Sequence, residues 1–284
     1  MSFLTSTTGV GGLLPEEYGP LIVEPIQEAA TALDRRVATL VPTLAHDFHV
    51  PVVVEDAAAS WLTEGQEISP SDPTVSEIVV TPAKVGGLTV ISRELANDSS
   101  PAAAGIIGQG LARSIARKID QAFFGSLPAP APAGLGSLTD AAVHRIIAGT
   151  APTNLDAFAE AQSLVEAEGT EITAFVASPA DALTLAKLKT GIELNTPLLG
   201  ADPVNGTQRM ILGVPLLVCH TMASGTVYGL AGSRNFAVVR EDVSIAVSSD
   251  AYFSSDQIAV RATMRVGFAF GTSKAVARIA LAAT

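Results

Sequence analysis

Few residues in this chain of 284 have the chemistry to act as metal ligands, nucleophiles or bases. His46 and His49 stand three apart, a spacing that puts two imidazoles on one face of a helix. Asp47-Phe48 and Val50-Pro51 around them read as extended chain, however, and no further ligand accompanies them. Cys219 precedes His220, a thiol beside a base, but neighbouring residues of a strand point to opposite faces, so Cys219 is expected to be a buried core residue. Gly9 to Gly12 and Gly134 to Gly136 lack the strand-then-helix context of a phosphate-cradling loop and read as turns. Glu94 and Asp120 read as capping or ion-pair groups. There is no GxSxG elbow, Walker loop, HExxH or CxxC. The residues point to no catalytic site, no cofactor and no metal, leaving an α/β enzyme with an unrecognised site as the alternative from another functional class.

Composition points towards association instead. Hydrophobic residues make up 48% of the chain and charged ones only 16%, too few to cover a monomer's surface, so extensive burial between subunits is expected. No apolar run reaches the roughly 20 residues of a membrane helix, and the first basic residue is Arg35, unlike a signal peptide. A lone cysteine excludes an internal disulfide. The net charge of −11 disfavours sequence-specific nucleic-acid binding. That charge is unevenly spread: residues 1–83 hold twelve acids against Arg35 and Arg36, whereas residues 209–284 hold seven basic residues against four acids. An acidic front and a basic back could pair between copies, or both could be solvated faces.

The element most able to organise such a chain is a helix over Pro101 to Phe124. Ile107, Leu111, Ile115, Ile119 and Phe123 recur at every fourth position and form one apolar stripe. Ser100 is its expected cap, Pro101 suits the first turn, and Gly125 supplies the stop. It would span about 36 Å. Arg113, Arg117 and Lys118 lie on another face, read as solvated, with contact to nucleic acid as the alternative.

Before it, residues 1–12 read as flexible or extended, Ile26 to Leu40 as a helix, and residues 50–82 as a hairpin with strands at Val50 to Val54 and Val75 to Val80 and Trp61 near its tip. Arms of this length would reach about 50 Å at strand rise, beyond a body with a radius of gyration near about 19 Å; two strands of an internal sheet are the alternative. After it, Leu127 to Gly136 is a Pro/Ala/Gly linker. An α/β module follows, with helices at Leu155 to Glu168 (cap Asn154) and Pro179 to Leu188 (cap Ser178), strands at Ile172 to Ala177, Gly213 to Val218 and Thr226 to Leu230, and a loop over Gly191 to Gly206. Finally, Ile258, Val260, Ala262, Met264, Val266, Phe268 and Phe270 alternate with polar residues including Arg261 and Arg265. That is a long strand with one apolar face, for which the helix stripe is the natural cover. Val243 to Val247 gives it a shorter partner, and Ala275 to Ala282 a last strand.

In this order, several short pieces resemble the major capsid proteins of tailed bacteriophages: Trp61-Leu62-Thr63-Glu64-Gly65-Gln66 with Ile68-Ser69; Pro82-Ala83-Lys84 leading to Ile91-Ser92-Arg93-Glu94-Leu95 and Asp98-Ser99; Ile119-Asp120-Gln121-Ala122-Phe123-Phe124-Gly125; and Leu212-Gly213-Val214-Pro215-Leu216. The resemblance covers nearly the whole chain. It implies the α+β Hong Kong 97-type capsid fold: an N-terminal arm (1–49), an extended β-hairpin loop (50–85), a peripheral domain begun by the spine helix (86–136) and completed by C-terminal strands (236–284), and an axial domain (137–235). It further implies self-assembly into pentamers and hexamers of an icosahedral shell around double-stranded DNA, bound without sequence specificity. The implied setting is the virion, assembled in the host bacterial cytoplasm, with no membrane. The implied partners are other copies, a separate scaffolding protein or a removed leader, a portal and decoration proteins. In this family the extended loop lies over a neighbouring subunit, which assigns Trp61, Glu64, Glu67 and Asp72 to inter-subunit contacts with Arg261, Arg265 or Arg278 as basic partners. Some relatives weld subunits through a loop lysine and a distant asparagine; residues 55–83 contain no lysine and Lys84 stands at the loop's base, so a non-covalent shell is expected. An encapsulin-like compartment shell is the alternative of the same architecture.

Overall fold

The computed structural model describes residues 30–55, 57, 59, 61–67, 70–92, 101–149, 152–191, 194–199 and 209–281. Two sheets share one long helix. The first sheet has the order β1-β12-β13-β4, formed by β1 (Thr39–Thr43), β12 (Asn235–Tyr252), β13 (Gln257–Phe270) and β4 (Ala83–Ser92). β1 runs parallel to β12, while β12–β13 and β13–β4 are antiparallel. The second, six-stranded sheet has the order β5-β14-β11-β6-β10-β9, with β5 (His144–Ile147), β14 (Val276–Ala280), β11 (Thr226–Leu230), β6 (Ala174–Ala177), β10 (Val214–Val218) and β9 (Met210–Ile211). Two ribbons stand apart: β2 (Phe48–Glu55) with β3 (Thr74–Val80), and β7 (Lys189–Gly191) with β8 (Leu194–Pro197).

Helix α1 spans Pro101–Phe124, as its periodicity predicts. Its residues Leu111, Ile115, Ile119 and Phe123 are buried, and they share one cluster with Ala262, Met264, Val266 and Phe268 on the alternating apolar face of β13. The Phe123 ring meets Phe268 edge-on at 5.0 Å between centroids. Approach to β4 is close: a Cβ on Gly87 would stand 2.4 Å from Leu111 Cδ1, so a side chain there would require Leu111 to move. The same cluster takes in Ala174, Val176, Tyr228, Leu230 and Val276, so α1 also closes one face of the second sheet. The other face of that sheet is covered by helices α2 (Asp156–Ala167) and α3 (Pro179–Ala186): Phe158, Val165 and Leu185 pack with Phe175, Ala177, Val227 and Ile279. Strand alternation divides β6 between the two cores, Ala174 and Val176 to one and Phe175 and Ala177 to the other. Ser178 caps α3, its hydroxyl accepting from the Asp181 N–H at 3.2 Å.

Four expectations are corrected. The helix over Ile26 to Leu40 is, from residue 30 on, a short 3-10 turn (Thr31–Leu33) followed by β1, because residues 39–43 find backbone partners along β12. The loop over Gly191 to Gly206 contains β8, paired with β7. The partner of β13 is far longer than Val243 to Val247, since β12 runs 18 residues with bulges after Arg240 and Ser248. Lastly, residues 276–280, grouped by sequence with the C-terminal strands of the first sheet, lie between β5 and β11 in the second. The chain therefore crosses between its two halves once more than expected. Ser100, Glu94 and Gly9 to Gly12 lie outside the described residues, as does the side chain of Ile107.

Asp120 joins three distant pieces of chain. Fully buried, it accepts the Ala32 N–H at 2.8 Å and the Thr31 N–H at 3.2 Å, with the Cys219 thiol 3.7 Å away. It thus caps a turn on another segment, and burial raises its pKa above the usual carboxylate value despite those donors. Replacing Asp120 with Ala should lower subunit stability by about 1–3 kcal/mol by stranding two buried N–H groups, read from urea unfolding. Because the folded-state pKa is raised, the contribution of Asp120 is greatest at low pH and declines as pH rises from the unfolded value through the folded one. Asp120→Asn removes that slope, so the variant should gain stability relative to the parent as pH rises from about 4 to 7.

Candidate functional site

With no catalytic constellation to follow, the surfaces that lack cover within the chain become the site. The hairpin is the first. Its β2–β3 register pairs Phe48 with Val80, Val50 with Ile78 and Val52 with Ser76. Phe48, Val50, Val52, Ile78 and Val80 pack on Phe236, Val238 and Ala269 of the first sheet, on the face opposite α1. On the ribbon's other face Val53, Val75 and Val79 are exposed. Trp61, the only tryptophan, is fully exposed at the far end. There, Gln66 donates its N–H to the Thr63 carbonyl at 3.1 Å and Gly65 takes φ +83°. This is the tight turn that a glycine at its third position permits, and it holds Glu64 at the apex. Glu64, Glu67 and Asp72 are all exposed.

The second surface is the face of the first sheet that the hairpin leaves open. Direct partners across three strands are Arg240 on β12, Arg265 on β13 and Lys84 on β4. One step along, Ser244, Thr263 and Gly86 face one another, and beyond them come Ala246, Arg261 and Leu88. Leu88 and Val90 are exposed apolar residues of this face. Arg261 is exposed and Arg265 half-buried.

The sequence-selected residues thus fall into separate groups. Trp61, Glu64, Glu67 and Asp72 lie on the hairpin excursion, whereas Arg261 and Arg265 lie on the open sheet face. Arg278 belongs to neither. It donates to Asp140 Oδ1 at 2.7 Å and to the carbonyls of Leu135 and Leu138 at 2.8 and 3.0 Å, with its guanidinium over the Tyr228 ring. Its Nη1 and Nη2 are engaged inside its own subunit, where they tie β14 to the linker after α1, while its Nε is buried without a partner. Arg240 and Lys84 are the cations that sequence reasoning passed over. The signal for Arg240 was hidden because the bulge after it breaks the alternation of β12.

Of the residues first weighed as chemical groups, Cys219 is buried and its pKa is pushed up by burial, while His220 next to it is exposed. His46 lies 3.0 Å from Asp47 and His49 contacts Glu77, both at exposed positions of the hairpin base. Among the described residues no cluster of three or more His, Cys, Asp or Glu is present. Arg113, Arg117 and Lys118 form the exposed face of α1.

A family model described as the phage capsid family matches residues 10–280. Among solved structures, the chain is similar to one described as "Capsid of empty GTA particle computed with C5 symmetry", at 19% identity with a TM-score of 0.73, covering 100% of this chain and 96% of that one. It is also similar to a structure from Microbacterium phage Oxtober96, at 17% identity and a TM-score of 0.72 over 88% of this chain and 90% of that one. A third, from Mycobacterium phage Adephagia, shares 17% identity and a TM-score of 0.69 over 92% and 90%. No curated protein matches the sequence.

Arg278 gives this division a test. Arg278→Gln should destabilise the subunit by about 2 kcal/mol, the scale of charge-assisted hydrogen bonds lost from a mostly buried donor. Arg261→Gln, at an exposed position, should change it by no more than about 0.5 kcal/mol. Urea unfolding of unassembled protein compares the two.

Proposed function

This chain belongs to the phage capsid family, a major capsid protein of the Hong Kong 97-type fold that forms the head shell, and from that premise we propose how its unfinished surfaces complete one another. The hairpin of each copy lies over a neighbour, so that Trp61 and the carboxylates of Glu64, Glu67 and Asp72 are covered in the shell and not in the subunit. Axial units, built on the six-stranded sheet, meet around five-fold and six-fold axes; the C5 symmetry named for the similar particle structure supports the five-fold arrangement. Peripheral units, built on the four-stranded sheet and α1, carry the contacts between rings. The shell encloses double-stranded DNA without reading its sequence, in keeping with the net charge of −11. A scaffolding function, a portal and decoration proteins complete the particle, which is assembled in the bacterial cytoplasm. Its role is structural, without catalysis.

The observation that carries this reading is the position of Trp61. A tryptophan held fully exposed beyond the paired part of the ribbon leaves about 150–250 Å² of aromatic surface in water. An isolated two-stranded ribbon is marginal in water, so a surface outside the subunit is the economical place for it to rest.

Electron microscopy of concentrated protein should show closed particles with five-fold and six-fold rings; a homogeneous small oligomer would contradict the assignment. Trp61→Ala should leave the unfolding free energy of the unassembled subunit within about 0.5 kcal/mol of the parent while greatly lowering particle yield. Purified particles should run as single subunits on a denaturing gel, since residues 55–83 offer no lysine for an inter-subunit bond.

A further inference from the structure

Helix α1 carries unbalanced charge on its outer side. Over residues 110–124 its exposed positions are Arg113, Ser114, Arg117 and Lys118. The helix holds one acid, Asp120, and that carboxylate is buried and committed to the Thr31 and Ala32 N–H groups. Arg113 and Arg117 stand four residues apart, where like charges weaken a helix and a glutamate in one of the two places would strengthen it. Lys118 extends the row, and its ammonium donates to a neutral acceptor, Gln121 Oε1, at 3.1 Å. None of the three meets a carboxylate among the described residues, whereas Arg36 pairs with Asp34, and Arg145 and Arg278 with Asp140. A chain with a net charge of −11 has acids to spare for such pairing, yet sets none here.

Those acids lie across the sheets from α1. The helix covers one face of each sheet. On the far face of the first sheet packs the hairpin, and the excursion it carries exposes Glu64, Glu67 and Asp72. On the far face of the second packs α2, which exposes Asp156, Glu160 and Glu166 and contains no basic residue. Both halves of the subunit thus keep their acidic elements on the faces away from α1. In a shell one subunit thick, this polarity turns a cationic ridge to one side and carboxylates to the other. A polyanion held inside is attracted by the first and repelled by the second.

We propose that the exposed face of α1 lines the inside of the shell and holds the phosphate backbone of the enclosed nucleic acid through Arg113, Arg117 and Lys118. The inference rests on the shell assignment and names the surface that meets the contents. Arg113 and Lys118 lie about 7.5 Å apart along the helix axis, a length over which duplex DNA presents about four phosphate charges. One duplex can therefore engage all three cations. Guanidinium forks suit two-pronged contact with phosphate oxygens, and the exposed Ser114 hydroxyl adds a neutral donor between the arginines. Relief beside the ridge is low, because Gly110 has no side chain and Arg113 Nη2 lies only 3.9 Å from where its Cβ would stand. Phosphate contacts of this kind carry no sequence information. Each subunit contributes few of them, and repetition over the shell makes a lining that is weak at one site and strong in sum.

The test keeps the lining apart from the shell. If parent protein forms no closed particles under the microscope, the shell assignment falls and the lining with it; if particles close but the α1 cations ignore DNA, only the lining falls. The probe is a fluorescein-labelled duplex of about 24 base pairs and arbitrary sequence, followed by anisotropy as salt is raised from about 50 mM. Binding by the unassembled parent subunit should weaken with a log–log salt slope between about −2 and −3, as three phosphate contacts require. Arg113→Gln/Arg117→Gln/Lys118→Gln should bind at least about tenfold more weakly with a slope near zero, while its melting temperature stays level or rises because like charges are removed. Arg113→Lys/Arg117→Lys keeps the charge and should bind within about threefold of the parent. Lys187→Gln/Arg234→Gln/Lys274→Gln makes the same charge change at exposed positions outside α1 and should stay within about twofold, since screening limits the reach of distant charges. Closed parent particles, offered the duplex from outside, should bind far less of it per subunit than free subunits do. Equal losses in the two Gln variants would overturn the proposal, as would undiminished binding by the α1 variant or particles that bind as well as free subunits. An α1 variant that keeps its DNA binding but loses particle yield would assign the ridge to a protein neighbour and overturn it equally.

Discussion

Burial of the α1 stripe is the contact on which the remaining structure depends. Leu111, Ile115, Ile119 and Phe123 cover the apolar face of β13, and the C-terminal part of the same helix closes the second sheet through a cluster that includes Tyr228, Leu230 and Val276. Neither sheet can be completed without this helix. A four-stranded sheet with one bare apolar face would be an aggregation surface, and the second sheet, covered by α2 and α3 on one face only, would expose Ala174 and Val176 on the other. Side chains buried at this scale contribute about 1.5–3 kcal/mol each, and four of them lie along this one helix face. Asp120 sits on the same helix and extends its reach to the turn at Thr31–Leu33, so the segment that leads from the N-terminus is anchored where the two cores meet.

What could be read in advance follows from how local the determining physics is. The bounds of α1, the two hairpin strands, α3 with its Ser178 cap and the long alternation of β13 depend on residues within a few positions of one another, and they stand where periodicity places them. The segment at Ile26 to Leu40 has the composition of a helix, yet its later part yields to parallel pairing with β12, a partner that no window of neighbouring residues contains. β14 shows the same limit. Its strand character was legible, but its place between β5 and β11 is set by pairing with two strands distant in sequence, not by its own pattern. The site divides in a similar way. Exposed acids in a turn-rich stretch are visible as composition, whereas the row of Arg240, Arg265 and Lys84 exists only once register across two strand pairs is fixed.

Two kinds of arginine separate the interior chemistry of the subunit from its exterior chemistry. Arg278 is held by Asp140 and two carbonyls at the seam between β14 and the linker, and Arg36 by Asp34 at 2.6 Å, which keeps the Asp34 carboxyl below its usual value. Both contacts lie within the subunit, the first long-range in sequence and the second local. On the open sheet face Arg240, Arg265 and Lys84 face one another in register, while Glu64, Glu67 and Asp72 stand exposed on the hairpin excursion. Complementary charge placed on separate surfaces of one subunit is available for pairing between copies.

The same reasoning explains why so apolar a chain can remain a tractable subunit. Its exposed hydrophobic residues are not gathered in one place: Trp61 and Leu62 are at the tip, Val53, Val75 and Val79 along the ribbon, and Leu88 and Val90 on the sheet. Each group is too small to drive association alone, and each lies beside charge of one sign. Hydrophobic contact is non-directional and would accept many wrong pairings, whereas like-charge juxtaposition rejects two tips meeting each other and two sheet faces meeting each other. Apolar area then supplies attraction, and the uneven distribution of charge restricts which surfaces of two copies can meet.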